Sequence, residues 1–181
     1  MSVFIVRDVR LHGWKPAGDT LEVNHDTPLS WVLDNIKSRA GGELVVKFMC
    51  HGLPGFLQFA SGSKSHPQVG SGITVDDLDA FKKISGALKR LEFHACLVAR
   101  IGGCAECDGL DAYDGNYFCY RMAQTIKAEI KASIHLQYYA DGTYRGGQPT
   151  GTGVDFGDWN GRVFTWGPEG SIIKTEDFPY K

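Results

Sequence analysis

Two apolar segments of the sequence each end in residue types that can carry out covalent chemistry. The first, 44–49, is followed closely by His51 and Gly52, and the second, 91–95, is followed by Cys96. A thiol beside a neutral imidazole can give up its proton and become a thiolate, which is the nucleophilic form of cysteine. The pattern therefore predicts a nucleophile, Cys96, and a general base, His51, supplied by two different segments.

Both apolar segments are predicted to be strands of a parallel sheet. Residues 44–49 and 91–95 are nearly continuous apolar runs, which is typical of strands buried on both faces. Ligands of an open parallel sheet meet the loops at the carboxyl ends of the strands, and His51 and Cys96 both follow such an end. Gly52 permits a sharp turn there, and its N–H is expected to stabilise an oxyanion together with the N–H of Cys96.

The rest of the chain alternates between strand and helix patterns. The predicted order is a strand at 2–9, a helix within 25–42, a strand at 44–49, a helix within 74–91, a strand at 91–95, a helix within 116–132 and a strand at 133–140. A β-hairpin is expected over 161–177, with its turn at GPEG. This series predicts an α/β fold, a three-layer α/β/α sandwich with a mainly parallel sheet and the hairpin at one edge of the sheet or beyond it.

Capping residues and periodicity predict where the helices begin and end. Asp26 or Thr27 is expected to cap the first helix, and Thr74 and Asp77 to form a capping box at the second. The third helix is predicted to run through residue 132, because four apolar residues share one side of it: Phe118, Met122, Ile126 and Ile130. Residues 60–73, rich in Gly and Ser, are predicted to form a mobile polar loop.

Composition indicates one globular domain, 1–181, with ordinary hydrophobic and charged content of 43% and 22%. The net charge of −2 and the scattered Lys and Arg residues argue against a nucleic-acid partner. No run approaches the ~20 apolar residues that cross a bilayer, so no membrane partner is expected. The odd count of five cysteines favours reduced thiols. The protein is predicted to be cytoplasmic, or delivered by a secretion system without a cleaved signal peptide.

The order of these segments resembles the caspase-like (clan CD) cysteine peptidases, in particular the bacterial CHAT-type members. Five segments carry the resemblance, which covers about residues 44–170: CHGLPGFLQF, TVDDLDAFKKI, LEFHACLVA, GNYFCYRMAQTI and GTGVDFGDWNGRVFTWGPEG. The individual motifs are short, so the resemblance depends on their order. HACLV stands where caspases proper have a Gln-Ala-Cys-Arg-Gly type of string, so the chain is not identified as a caspase proper.

The resemblance implies a cysteine endopeptidase that works with a His51–Cys96 dyad, with Gly52 supplying an oxyanion N–H and without a cofactor. Its substrate would be a protein or peptide, and self-cleavage, an ion or an activating partner would switch it on. Residues implied to line the specificity pocket are Glu92, His94, Tyr138, Asp141, Asp155 and Asp158. An acidic pocket would favour Arg or Lys before the cleaved bond, and Lys64 and Arg100 would then be self-cleavage points.

Other interpretations of the same residues stay open. Cys50 is an alternative nucleophile, with His94 as its base, although alternation along a strand points Cys50 away from the face of His51. Cys96 can also be an inert core thiol, because free cysteine is among the most buried residue types. The domain would then be a catalytically silent module that binds a protein partner.

A CxxC pair, Cys104 and Cys107, lies in a glycine-rich segment and offers a third hypothesis. Such a pair suits half of a zinc site or a redox disulfide, but no second pair of ligands accompanies it. Two loop thiols without metal are the favoured interpretation, and a zinc- or redox-responsive binding protein is the alternative. The nearby acidic run, 106–114, lacks the spacing of a calcium-binding loop and is interpreted as a solvated face or a wall that attracts a basic substrate.

Overall fold

The computed structural model describes residues 1–11, 18–66, 70–101, 114–137, 144–145, 148–149 and 159–179. The strands are β1 (Ser2–Asp8), β2 (Thr20–Val23), β3 (Leu44–Met49), β4 (His51–Leu53), β5 (Phe56–Gln58), β6 (Lys64–His66), β7 (Gly70–Gly72), β8 (Arg90–His94), β9 (Glu129–Ser133), β10 (Tyr144–Arg145), β11 (Gln148–Pro149), β12 (Gly161–Trp166) and β13 (Ile172–Phe178). The helices are α1 (Leu29–Ser38), α2 (Leu78–Phe81) and α3 (Gly115–Ile126), and 3-10 turns at Val75–Asp77 and Lys82–Ile84 flank α2.

A central sheet of seven strands organises the chain. Its order is β13-β12-β9-β8-β3-β1-β2. The five strands from β9 to β2 pair in parallel, and the hairpin of β12 and β13 continues the sheet in antiparallel pairing at one edge. The mixed α/β class, the mainly parallel sheet and the C-terminal hairpin are therefore confirmed. None of the helices in the described part of the chain is long and apolar enough to span a membrane.

One face of this sheet packs against all three helices. The shared core contains Phe4 and Val6 of β1, Val46 and Phe48 of β3, Leu91 and Phe93 of β8, Ile130 and Ala132 of β9, Val32, Leu33 and Ile36 of α1, Leu78 and Phe81 of α2, and Phe118, Met122 and Ile126 of α3. Residues that alternate with these along the strands, such as Lys47 and Glu92, face the other side. The described helices thus form one layer, and a helical layer on the second face stays a prediction.

The first two helices begin differently from each other. Pro28 occupies the position before α1 and no side chain caps that helix, so the prediction of a cap by Asp26 or Thr27 is wrong. The Thr27 hydroxyl instead donates to Asn24 Oδ1. The capping box of Thr74 and its partner three residues on is confirmed, and it starts the turn that leads into α2.

The third helix is shorter than its apolar periodicity predicts. It ends at Lys127, which adopts a left-handed conformation with φ of 52°. Ile130 lies in β9, where it is the register partner of Leu91 in β8, so its predicted place on the helix and the predicted strand boundary at residue 133 are both wrong. Ile130 nevertheless packs, from β9, in the same core that the apolar side of α3 contacts.

Residues 60–73, predicted to be a mobile loop, include the ordered strands β6 and β7. These strands pair with each other, and Leu57 forms a bridge to Ile73 that joins the pair to β5. A Cβ placed on Gly72 would lie 2.2 Å from the carbonyl oxygen of Leu57 and 2.4 Å from Cζ of Phe56. The glycines of this segment therefore serve close packing between backbones rather than mobility.

Candidate functional site

His51 and Gly52 open a small hairpin directly after β3. His51 pairs with Gln58 at the open end of the hairpin formed by β4 and β5, and its side chain is half-buried. Gly55 closes the turn with φ of 64°, a value that favours glycine. The sequence thus places His51 at the carboxyl end of a buried strand, held by the pairing of its own hairpin.

Cys96 follows β8, the strand beside β3, two residues after its end. Met49 of β3 and His94 of β8 are register partners, and Cys50 N donates to His94 O at 3.5 Å. The two strands therefore end side by side, and the residues that follow them meet. The predicted site required these two strands to be neighbours, and the order of the sheet shows that they are.

The contact between these two segments is made by Gly52. A Cβ placed on Gly52 would lie 2.6 Å from the Cys96 carbonyl oxygen, 2.6 Å from Cγ2 of Val98 and 2.9 Å from Cβ of Ala95. Real Cβ atoms do not approach other atoms this closely, so the position requires glycine. Gly52 thus packs directly against Cys96 at the carboxyl edge of the sheet, and His51 precedes Gly52 in β4.

The thiol of Cys96 is half-buried and has defined polar contacts. Its Sγ lies 3.6 Å from the carbonyl oxygen of Gln137, to which a thiol can donate, and 3.4 Å from the Gln137 nitrogen, whose N–H can donate to a thiolate. Burial raises the pKa of Cys96, and the N–H of Gln137 opposes that shift. At neutral pH the group is a thiol that needs a nearby base to become a nucleophile.

The residue after Cys96 carries backbone strain. Leu97 has φ of 59°, in the left-handed region that bulky residues avoid. A hydrogen bond from Leu97 N to His135 O, at 3.1 Å, fixes this conformation. Strained backbone that surrounding contacts hold in place is common at functional sites, and Leu97 lies directly after the candidate nucleophile.

Gln137 is a site residue that sequence reasoning does not find. Its side chain Nε2 lies 3.0 Å from Asn160 O, and its Oε1 accepts from Asn160 N at 3.0 Å. Gln137 is 6% exposed and Asn160 is 1% exposed. The contact to Cys96 uses only the backbone of Gln137, so no residue-type pattern in the sequence marks it.

Glu92 and His94, predicted to line a specificity pocket, are buried on the second face of the sheet. They are 5% and 3% exposed, and Glu92 Oε2 lies 2.9 Å from His94 Nε2. Two cations also face the Glu92 carboxylate: Arg90 Nε lies 2.8 Å from its Oε1, and Lys47 Nζ lies 3.8 Å from its Oε2. The ring of Trp159 stacks on His94 with centroids 4.4 Å apart. These contacts favour a structural role for the pair, and a role in binding substrate stays a prediction.

The electrostatics of this buried pair have opposing causes. Burial by itself raises the pKa of Glu92, but the hydrogen bond and charge of His94 and the charges of Lys47 and Arg90 outweigh it and lower that pKa to about 2. Burial lowers the pKa of His94 against the attraction of Glu92. A neutral His94 therefore donates its Nε2–H to an ionised Glu92 at neutral pH.

The alternative pairing of Cys50 with His94 is not assembled. Cys50 belongs to the core on the helix face, whereas Met49, the register partner of His94, packs with Ile5 on the other face. Burial also raises the pKa of Cys50 well above its usual range. The geometry therefore favours Cys96 over Cys50 as the reactive thiol.

Several predicted site residues lie outside the described residues. These are Tyr138, Asp141, Asp155 and Asp158 of the predicted pocket, and Cys104 and Cys107 of the CxxC pair. Within the described residues, no three His, Cys, Asp or Glu side chains are grouped to hold a metal ion. Lys64, a predicted self-cleavage point, pairs with Asp76 at 2.9 Å.

A surface depression lies beside the Cys96 segment. Its volume is about 390 Å³, and it is lined by Ile134, His135, Gly161, Arg162, Asp177 and Phe178. The backbone of His135 in its wall accepts the hydrogen bond of Leu97. Its position at the carboxyl ends of β9 and β13 puts it on the same edge of the sheet as Cys96.

A buried ion pair anchors the chain that follows His51. Asp8 is fully buried at the end of β1, and its carboxylate accepts from Arg10 and from the backbone N–H of Ala60 at 3.0 Å. Arg10 also donates to Ser71 O at 2.9 Å and to Ala60 O at 3.3 Å. The pair therefore ties β1 to the base of the hairpin that carries His51.

Comparison of the sequence with family models and with curated proteins, and of the fold with solved structures, found no match.

Proposed function

We propose that the chain is a cysteine endopeptidase of the caspase-like type, in which Cys96 is the nucleophile and His51 is the general base and acid. The observation that carries this proposal is the contact of Gly52 with the backbone of Cys96, because it joins the ends of β3 and β8. The full proposed architecture is a three-layer α/β/α sandwich, of which the sheet and one helical layer are described above.

The proposed reaction has two steps. In the first, Cys96 Sγ transfers its proton to His51 and forms a bond to the peptide carbonyl carbon, and the C–N bond breaks as His51 protonates the leaving amine. In the second, His51 takes a proton from water, the hydroxide attacks the thioester, and the C–S bond breaks as His51 returns that proton to Cys96 Sγ, which releases the acid and restores the thiol. The backbone N–H groups of Gly52 and Cys96 are proposed to stabilise the oxyanion in both steps.

The protonation state of Cys96 supports the need for a partner base. Burial raises its pKa, so the thiol does not ionise by itself at neutral pH. In a His–Cys dyad, the imidazole accepts this proton while the sulfur attacks. We propose that the half-buried imidazole of His51, the residue before Gly52, is that acceptor.

A catalytically silent module that binds a protein partner is the second candidate. The raised pKa of Cys96 is the observation that favours it, because an inert packed thiol has the same property. The two candidates differ in whether His51 changes the reactivity of Cys96, which is directly measurable.

Alkylation by iodoacetamide, read for each cysteine by mass spectrometry, tests the proposal. The rate at Cys96 is measured against pH in wild type and in His51→Ala, with His25→Ala as the control, since the side chain of His25 is 63% exposed. Cys50 and Cys119, both fully buried, serve as internal references for slow reaction.

We expect Cys96, which is half-buried, to react faster than the fully buried references, and we expect His51→Ala to slow Cys96 several-fold while His25→Ala does not, because His51 accepts the thiol proton. Equal rates at Cys96 in wild type and His51→Ala would overturn the peptidase proposal and favour the silent module. A fast reaction at Cys104 and Cys107 with an inert Cys96 would favour the redox-responsive alternative.

A further inference from the structure

The polar contacts of Cys96 Sγ point to a further residue in the proposed reaction. We infer that Gln137 is a positioning residue, whose buried side-chain amide holds its own backbone N–H on the sulfur of Cys96. The inference rests on the proposed function for its catalytic consequence. The control of the Cys96 thiol by the Gln137 amide does not depend on the proposed function, because it follows from the hydrogen-bond contacts of the two residues.

The contact itself suits a group that changes its ionisation. As a thiol, Cys96 can donate to Gln137 O at 3.6 Å, and as a thiolate it can accept from Gln137 N at 3.4 Å. One peptide segment therefore offers a partner to both forms. A hydrogen bond to the charged form favours that form, so the N–H stabilises the thiolate.

The side chain of Gln137 accounts for the fixed position of that N–H. Nε2 lies 3.0 Å from Asn160 O and 3.1 Å from the carbonyl oxygens of both His135 and Leu136, while Oε1 accepts from Asn160 N at 3.0 Å. The amide thus bridges the segment after β9 to the residue before β12. Because Gln137 is 6% exposed and Asn160 is 1% exposed, replacing this amide removes hydrogen bonds from the buried backbone of Asn160.

The same contacts reach the other side of Cys96. The carbonyl oxygen of His135, which accepts from Gln137 Nε2, also accepts from Leu97 N at 3.1 Å. Ser133 adds support, because its hydroxyl donates to Asn160 O at 3.2 Å and accepts from His135 N at 3.0 Å. Gln137 therefore helps to hold both the strained residue after Cys96 and the amide that faces its sulfur.

Gln137→Met tests this role, because methionine keeps the length of the side chain and loses all of its amide hydrogen bonds. The matched control is Gln124→Met on α3, which removes an exposed amide that donates to Tyr120 Oη at 3.0 Å and to Glu169 O at 3.2 Å. The readouts are the pH midpoint of Cys96 alkylation, kcat and KM on a peptide substrate, and the temperature of unfolding.

In Gln137→Met we expect the Cys96 midpoint to rise by about one pH unit, because the thiolate loses a held donor. We expect kcat to fall roughly tenfold with KM nearly unchanged, since the loss affects the nucleophile rather than substrate contacts. Gln124→Met should change neither. A folded Gln137→Met with an unchanged midpoint, or an equal shift in Gln124→Met, would overturn the inference.

Two further outcomes distinguish a failure of the Gln137 inference from a failure of the peptidase proposal. If Gln137→Met does not fold, Ser133→Ala loosens the same segment by a smaller change, and an unchanged Cys96 midpoint in that folded variant would also overturn the inference. If His51→Ala leaves wild-type reactivity intact, the peptidase proposal fails, while a raised midpoint in Gln137→Met would still support the control of the Cys96 thiol by Gln137.

Discussion

Gly52 packs so tightly against Cys96 that a Cβ on Gly52 would lie 2.6 Å from the Cys96 carbonyl oxygen. Strand β4, which contains His51 and Gly52, and the turn after β8, which contains Cys96, are thus in direct contact. The absence of a side chain at Gly52 is a condition for that contact. This condition makes Gly52 the most direct place to test the assembly of the site.

Gly52→Ala is expected to destabilise the fold and to separate β4 from the turn that contains Cys96. The added methyl group meets backbone and the Val98 side chain, neither of which can move freely, and overpacking of this kind costs about 1–3 kcal/mol. Urea unfolding measures the loss of stability, and alkylation of Cys96 reports the disturbed site. Gly41→Ala is the control, because a Cβ there meets nothing within 4 Å. Equal stability of the two variants would contradict the close packing described here.

The sequence predicts the part of the site that depends on local pattern. Continuous apolar runs predict β3 and β8 as strands of a parallel sheet that are followed by His51 and Cys96, but only the structure shows that the two strands are neighbours. Gln137 escapes such reasoning because it lies 41 residues from Cys96 and contacts the sulfur through its backbone alone. Its contribution appears only once β9 and β12 are paired.

The fold was predicted less well where two patterns conflict. Ile130 continues the helical spacing of α3. The helix nevertheless ends before it, because Lys127 adopts a left-handed conformation, and Ile130 pairs with β8 as part of β9. The glycines of 60–73 were equally ambiguous from sequence, since glycine serves both mobile loops and close backbone packing. Gly72 serves the second purpose, and only the position of Phe56 against it shows this.

Arg10→Gln is expected to be strongly destabilising. It would leave the carboxylate of Asp8, which is fully buried, without its charged partner, and breaking a buried pair in this way costs about 3–5 kcal/mol. Arg162→Gln, which removes an exposed pair with Asp177, should cost far less. The free energy of unfolding in urea measures both. The double variant Arg10→Gln with Asp8→Asn should recover part of the loss, and a double variant as unstable as Arg10→Gln alone would argue against charge burial as the cause.

Stability is expected to fall with acid through the buried pair of Glu92 and His94. Burial lowers the pKa of His94, so the unfolded chain binds a proton there first, and stability declines as the pH falls below 6.5. The pKa of Glu92 is lowered from 4.5 to about 2, so its contribution is present above pH 4.5 and is lost as the pH falls towards 2. Unfolding free energies measured from pH 7.5 to pH 2 check both ranges.

His94→Gln separates the histidine from the other acid-sensitive groups. We expect this variant to be less stable than wild type at pH 7 but to lose less further stability between pH 6.5 and pH 5. His25→Gln, at an exposed position, should keep the wild-type slope. A His94→Gln variant with the full wild-type slope would assign the acid sensitivity to other groups.

Preference for a basic residue before the cleaved bond is the prediction that depends most on the resemblance to caspase-like peptidases. Reporter peptides ending in Arg, Lys, Asp or Asn are compared by kcat/KM. We expect Arg and Lys to be cleaved fastest, because an acidic side chain in the pocket would pair with them. Asp141→Asn, Asp155→Asn and Asp158→Asn then identify the acidic residue by a selective loss towards Arg and Lys peptides, with Asp26→Asn as the surface control. Fastest cleavage of the Asp peptide would reject the acidic pocket while leaving the His51–Cys96 dyad in place.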